Sequence, residues 1–444
     1  MLEVLVNRLD RCEHALMTET SIGDMYLYTP TPIPKINRIC ELDLICDSNQ
    51  IENKPNALSF NIDNVADVMF NRINNFAQLS LDGKRADKKF DFIIKNVPII
   101  IDPRTESFYF KIPKSKNNYV KDGILNLNSF PQKIKDIFSE TNSQNHNSSW
   151  LEIKDNKLIL LMVGYFATYQ SRCKASIILP PAPLIDGRSS LTLKIANEIN
   201  EKTKTFTIRR GAAYSAYYLP LHYKVFDNSK MIDYIYYSIK NAIDKQQRII
   251  FLKILWYEYL NKNSIRRKRF SNLLTKIDLL KQQTNDGFLV FLLDAGSEGL
   301  PTLANGVDGY IEPMGGHIGV IRGKKISEDE ANDLDKYTNK RHGSYLNPIT
   351  REFIPFEDTL EIYKDNKNRL PCGCPSCVKY EGKLSYETPT LQWNLDRRIH
   401  TVNVRRRETN KLFNSIQGKN IRDVSFKLLE CGDKNLLDLL PNYI

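Results

Sequence analysis

From Val97 onward, short runs of β-branched and apolar residues alternate with stretches of helical length, and this alternation most constrains the fold. The runs are Val97–Asp102, Ala175–Pro181, Tyr217–Phe226, Ile249–Trp256, Phe288–Asp294 and Val307–Pro313. Between them the pattern predicts helices over 150–174, 189–203, 229–246 and 265–283. In the third, Met231, Ile235, Ile239 and Ile243 recur every four residues and make one apolar face for core packing. Near-continuous apolar strands, each followed by a helix, imply a parallel sheet covered on both faces or a closed (β/α) barrel.

The 444 residues suit two or three modules or one barrel with appendages. Hydrophobic residues make up 41% and charged ones 26%, enough for a sizeable core. No window holds eighteen uninterrupted apolar residues, and Met1-Leu2-Glu3-Val4 opens no secretory leader, so the expectation is a cytoplasmic chain with no membrane span. Sixty-three basic against 52 acidic residues leave a charge of +11, which suits a polyanionic partner. Residues 1–95 mix short apolar runs with turns such as Pro30-Thr31-Pro32 and read as an accessory segment. The barrel is expected over 96–320, an insertion over 321–371 and a zinc-binding, helix-rich module over 372–444.

Three of the eight cysteines crowd into Cys372-Gly373-Cys374-Pro375-Ser376-Cys377. In a reducing compartment such crowding reads as metal before disulfide. The tight Gly and Pro turns aim three thiolates at one ion, and His400, in a predicted helix, supplies a fourth ligand. A Cys3His set has no open coordination position, so the expected zinc is structural. Cys12, Cys40, Cys46, Cys173 and Cys431 lack such spacing and read as ordinary thiols. The helix of His400 also carries Arg397, Arg398, Arg405, Arg406 and Arg407, the centre of a run with Glu408 as its one acid across 397–422. This density can grip a phosphate backbone or an acidic protein face, or can be a solvated helix face. Arg266-Arg267-Lys268-Arg269 is a shorter second cluster.

Several runs end in a polar or special residue: Asp102, Pro180-Pro181, Asp294 and Glu312. A barrel enzyme places its chemistry at that C-terminal rim, whereas single strand-ending aspartates also make turns and caps. Asp102, Asp294 and Glu312 are the candidate carboxylates.

The C-x-C-x2-C motif followed by a histidine in a basic helix resembles the tRNA-guanine transglycosylases and their DNA-modifying relatives, which insert 7-deazaguanine bases. Asn305 to Pro313 is similar to that family's late-strand Gly-Val/Ile-Asp-x-Phe-Asp segment before a proline, so the resemblance covers roughly the last 150 residues. It implies a (β/α)8 TIM-type barrel, a structural zinc, a homodimer, and two aspartates that displace guanine and guide the incoming base. Asp102 resembles the second aspartate in position, but Asp102-Pro103-Arg104-Thr105 replaces the family's Asp-Ser-Gly-Gly. The attacking aspartate falls on Ile311, with Glu312 one place later on the opposite strand face. The family's Gly-Gly-Leu-Ala-Val-Gly-Glu run is absent, and Gly296, Gly315 and Gly316 lie in the nearest glycine-containing segments.

Two readings follow. In one, Glu312 or Asp294 takes over as nucleophile and the protein exchanges guanine for a 7-deazaguanine in tRNA or DNA. In the other, the barrel keeps a deazaguanine pocket and serves as a recognition partner, as the resemblance implies for transglycosylase-like proteins of type IV CBASS anti-phage operons. There the expected partners are a nucleotidyltransferase and a deazaguanine-handling ligase. The acidic stretch Glu328-Asp329-Glu330, with Asp333 and Asp335, suits such an interface. A third class is a nucleic-acid binder built on the zinc module, with steeply salt-dependent affinity.

Overall fold

The apolar runs fold as parallel strands of one sheet that curls almost completely into a barrel. The computed structural model describes residues 4–36, 55–62, 96–105, 156–314 and 343–416, apart from short gaps, with a few isolated positions between them. The chain opens on an antiparallel meander of β1 (Val4–Cys12), β2 (Ala15–Ile22) and β3 (Met25–Thr29). The barrel strands follow: β4 (Thr31–Ile36), β5 (Leu58–Asn61), β6 (Ile99–Asp102), β7 (Ile177–Ile178), β8 (Tyr214–Ser215), β9 (Tyr217–His222), β10 (Ile249–Leu255), β11 (Leu289–Leu293) and β12 (Gly309–Pro313). Their order in the sheet is β8-β7-β6-β5-β4-β12-β11-β10-β9, every neighbour parallel.

The two ends of that order, β8 and β9, are consecutive in the chain and separated only by Ala216. One stretch of backbone thus pairs with β7 through Tyr214 and Ser215 and with β10 from Tyr217 on. Beyond β7, Ile185 returns to the seam, donating its N–H to the Pro220 carbonyl at 2.9 Å and accepting from the His222 N–H at 2.9 Å.

Two barrel strands, β4 and β5, lie inside the first 95 residues, where an accessory segment was expected. Asp102 accordingly ends the third strand around the barrel from β4, not the first. Pro32 and Pro34 disguise β4 in the sequence, because proline gives no N–H to a ladder. The structure tolerates them because β5 pairs only with Lys35 and Ile36 of that strand.

The helices come close to their expected spans. They are α1 (Asn156–Arg172), α2 (Ser190–Arg210), α3 (Ser229–Asp244) and α4 (Ser264–Gln283), with the short α5 (Gly299–Leu303) before β12. Asn228 caps α3, its side chain accepting from the Lys230 N–H at 3.1 Å. The stripe Met231, Ile235, Ile239 and Ile243 is buried against β9 to β12 in the outer core. Inside the barrel, Ile33, Ile100, Tyr218, Ile249, Phe251, Leu289, Phe291 and Ile311 form a second core, with Phe251 stacked on Phe291 at 5.1 Å. Ile22 and Leu27 of the meander belong to that interior cluster, so the meander plugs the barrel floor. Gly309 is required where β12 meets β4: a Cβ there would lie 2.6 Å from the Thr31 carbonyl oxygen.

After β12 come β13 (Tyr345–Leu346), β14 (Phe353–Ile354), α6 (Phe356–Asp365), α7 (Pro375–Val378) and the long α8 (Thr390–Ile416). Trp393, Phe356, Tyr363 and Tyr380 form a separate aromatic core around the cysteines. Among the described residues, no helix is long and apolar enough to cross a membrane.

Candidate functional site

Two constellations carry chemistry. The first is the cysteine cluster. Cys374 stands at the N-terminus of α7 with Pro375 in its first turn, and the Cys377 N–H closes that turn on the Cys374 carbonyl at 2.9 Å. This brings the Cys377 and Cys374 sulfurs to 3.2 and 3.5 Å from Nδ1 of His400. The ligand atoms of Cys372, Cys374, Cys377 and His400 all lie within 4.8 Å of one another, so the four could hold a metal ion.

The surroundings fit that role. His400 Nε2 lies 2.7 Å from the Leu346 carbonyl, which accepts its proton and leaves Nδ1 for the sulfur side. Tyr345 stacks on the imidazole at 4.3 Å, and its hydroxyl sits 3.6 Å from the Cys377 sulfur. Three thiols and one imidazole, with no fifth donor in the group among the described residues, match a closed tetrahedral centre.

The second constellation lies at the C-terminal ends of the barrel strands. Asp102 ends β6, and Asp294 directly follows β11. Strand alternation would send Asp294 outward after the inward Leu293, but its left-handed backbone, φ 55°, breaks the alternation. Both carboxylates meet the same two lysines. Lys35 of β4 lies 3.2 Å from Asp102 and 2.6 Å from Asp294, and Lys253 of β10 lies 2.7 Å from Asp102 and 3.2 Å from Asp294.

This quartet is buried, with Asp102 0% and Asp294 7% exposed. Burial alone would push the Asp102 carboxyl up, but Lys253 and Lys35 hold it well below the usual carboxylate range. Asp294 is lowered by the same two lysines against its own burial. The carboxylates are therefore ionised and the ring is neutral as a whole. Asp102 also accepts the Arg104 N–H at 3.0 Å. Ser59 faces inward beside Lys35 in the strand register, and its buried hydroxyl has no hydrogen-bond partner among the described residues. Such an orphan costs about 1–3 kcal/mol unless a ligand or solvent atom meets it.

The structure thus brings Asp102 and Asp294 together and places Glu312 apart from them. Ile311 points into the barrel, and Glu312, its neighbour on β12, points out toward α8. There it accepts Arg405 Nε at 2.8 Å and Nη2 at 3.0 Å, and Arg405 also binds Glu408 at 2.9 Å. Gly296, Gly315, Gly316 and the acidic stretch 328–335 lie outside the described residues.

The arginines of α8 are mostly turned inward rather than arrayed as a solvated face. Arg397 donates to Asn394 at 2.8 Å and to the Ser344 carbonyl at 2.9 Å, and buried Arg398 pairs with Glu41 at 3.2 Å. Arg406 reaches Asn56 at 3.5 Å, and Arg407 the Gly373 carbonyl at 3.4 Å. Of the second basic cluster, Arg266 grips Asp227 and Arg269 binds the Phe226 and Asp227 carbonyls.

Sequence reasoning missed Lys35, Lys253 and Ser59. Lys253 left a signal: a lone cation inside the apolar run Ile249–Leu255, where a charge persists only with partners. Lys35 and Ser59 left none, since β4 and β5 were themselves unrecognised. No protein-family model matches this chain, and no curated protein matches it significantly.

Proposed function

We propose that the protein is a TIM-type barrel of transglycosylase character that recognises a 7-deazaguanine base at its mouth. The nine paired strands would correspond to the eight of such a barrel with 214–222 taken as one. The observation that carries the reading is the convergence of Asp102 and Asp294 at the C-terminal rim of a barrel whose chain continues into a Cys3His cluster. The metal that suits three thiolates and an imidazole is zinc, in a structural role. Its ligands are Cys372, Cys374, Cys377 and His400, and it would supply cross-linking of the C-terminal module rather than chemistry at the mouth.

Recognition is favoured over base exchange. The position that resembles the family's nucleophile carries Ile311, whose side chain cannot attack a sugar, and Glu312 is committed to Arg405 outside the barrel. The protein would then serve as a partner in a CBASS-like anti-phage system, with a nucleotidyltransferase among its partners and a homodimer as its assembly. The alternative, exchange of guanine for a deazaguanine in tRNA or DNA, draws on the two carboxylates sharing one mouth, with Asp294 as nucleophile.

Incubation with tRNA or duplex DNA carrying labelled guanine, in the presence of a deazaguanine base, separates the two. The recognition reading expects base binding without release of label. Release that vanishes in Asp294→Asn supports exchange instead. Elemental analysis of the purified protein should return one zinc per chain.

A further inference from the structure

The four residues of the Cys3His group are not equally sheltered, and the difference singles out one of them. Cys374, Cys377 and His400 are 0%, 2% and 1% exposed. Tyr345 covers them: its ring stacks on the imidazole at 4.3 Å, its hydroxyl sits 3.6 Å from the Cys377 sulfur, and Trp393 stacks on it in turn at 6.0 Å. Cys372 is only partly buried, packed at the edge of the same aromatic core. Its neighbour Gly373 borders open space, since a Cβ there would meet nothing within 4 Å. Cys173, the remaining cysteine among the described side chains, is fully buried, and burial pushes its thiol up to about 12, so it stays protonated and inert. Among the described side chains, Cys372 is therefore the sulfur that solvent reaches.

We propose that Cys372 is a modification site: electrophiles and peroxides attack its sulfur first, and the group then gives up its metal. The inference rests on the zinc reading and adds to it the ligand through which the ion is lost. A metal-ligating sulfur is a thiolate, the nucleophilic form, and among such sulfurs exposure decides which reacts. With hydrogen peroxide as the oxidant, the Cys372 thiolate attacks one oxygen, the O–O bond breaks and hydroxide leaves. The sulfur is oxidised by two electrons to the sulfenic acid as the peroxide is reduced. The donor atoms of Cys374 and Cys377 lie within 4.8 Å of it, close enough for one of their thiolates to displace hydroxide and form a disulfide. Two of the three anionic donors are then lost to the metal, and a thiol reductant restores them.

The test treats full-length, zinc-loaded protein with limiting hydrogen peroxide and, separately, with a bulky maleimide. A colorimetric chelator follows zinc release, and peptide mass mapping identifies the modified cysteines. Cys372 should react about tenfold faster than Cys374 or Cys377, with zinc released mole for mole. First modification at Cys374 or Cys377, zinc release with Cys372 intact, or zinc retained after Cys372 is fully modified each overturns the inference and leaves the structural zinc standing. Protein that binds no zinc overturns both. Dithiothreitol with added zinc should reload the peroxide-treated protein and not the maleimide-treated one; peroxide damage that the reductant does not reverse overturns the disulfide step.

Discussion

At the scale of single residues, the quartet at the barrel mouth sets the sharpest expectation. Lys253→Met keeps the length of the side chain but leaves Asp102 and Asp294 sharing Lys35 alone. An uncompensated buried charge costs about 3–5 kcal/mol, which chemical denaturation of the variant should return. His222, inward at the end of β9, gives a pH signature. Burial first, then Lys224 and Arg188, lower its pKa from 6.5 to about 4, so the fold holds the neutral ring. Its contribution is complete above about pH 6.5 and is lost as the pH falls toward 4, on the order of 2–3 kcal/mol. An NMR titration of the His222 ring should show the shifted midpoint; a midpoint at the ordinary value would sink the assignment. Asp102 and Asp294 behave differently, because their depressed values keep the quartet ionised until more acidic pH. Both aspartates were legible in the sequence, since each follows an apolar run where a barrel has its rim. Of their lysines, Lys253 left only its odd place in an apolar run, and Lys35 left nothing, because its partners lie 67 and 259 residues away.

Among the elements, α8 has the most to explain. As sequence it is a basic amphipathic helix, and its charge density pointed to a polyanion. In the fold those charges find acids from distant segments, Glu41 and Glu312, and helical periodicity contains no trace of either. The four residues that could hold a metal were legible for the opposite reason: three of them are local, and a tight turn fixes their convergence. With the proposed zinc in the Cys3His group, Cys374→Ser should release it and loosen the core around Trp393 and Tyr380, read as a loss of near-UV circular dichroism, while β9 to β12 keep their far-UV signal. Unchanged near-UV signal would mean that the ion does not hold this module. Arg405→Leu should cost about 3–5 kcal/mol by stranding Glu312, and the double variant Arg405→Leu/Glu312→Leu should recover most of it. If the double variant is no better than the single one, the clasp acts by packing rather than charge.

Across the whole molecule, the alternation of strands and helices from Val97 to Pro313 gave away the class of architecture. The barrel's true beginning stayed hidden, because two prolines interrupt β4 and because β5 is only four residues long. The meander that precedes them is a working part of the barrel, since Leu27, 0% exposed, fills its floor. Leu27→Ala should cost about 2–5 kcal/mol and lower the midpoint of a single transition rather than splitting it. A separate early transition would instead mark the meander as an independent unit. The seam at Ala216 has a consequence for solubility. An open parallel sheet exposes a ladder of unsatisfied amides and carbonyls at each border, onto which a foreign chain can zip. By lending one backbone stretch to both borders at once, residues 214–222 retire those ladders, and a protein rich in isoleucine strands gains protection against fibril-like self-association.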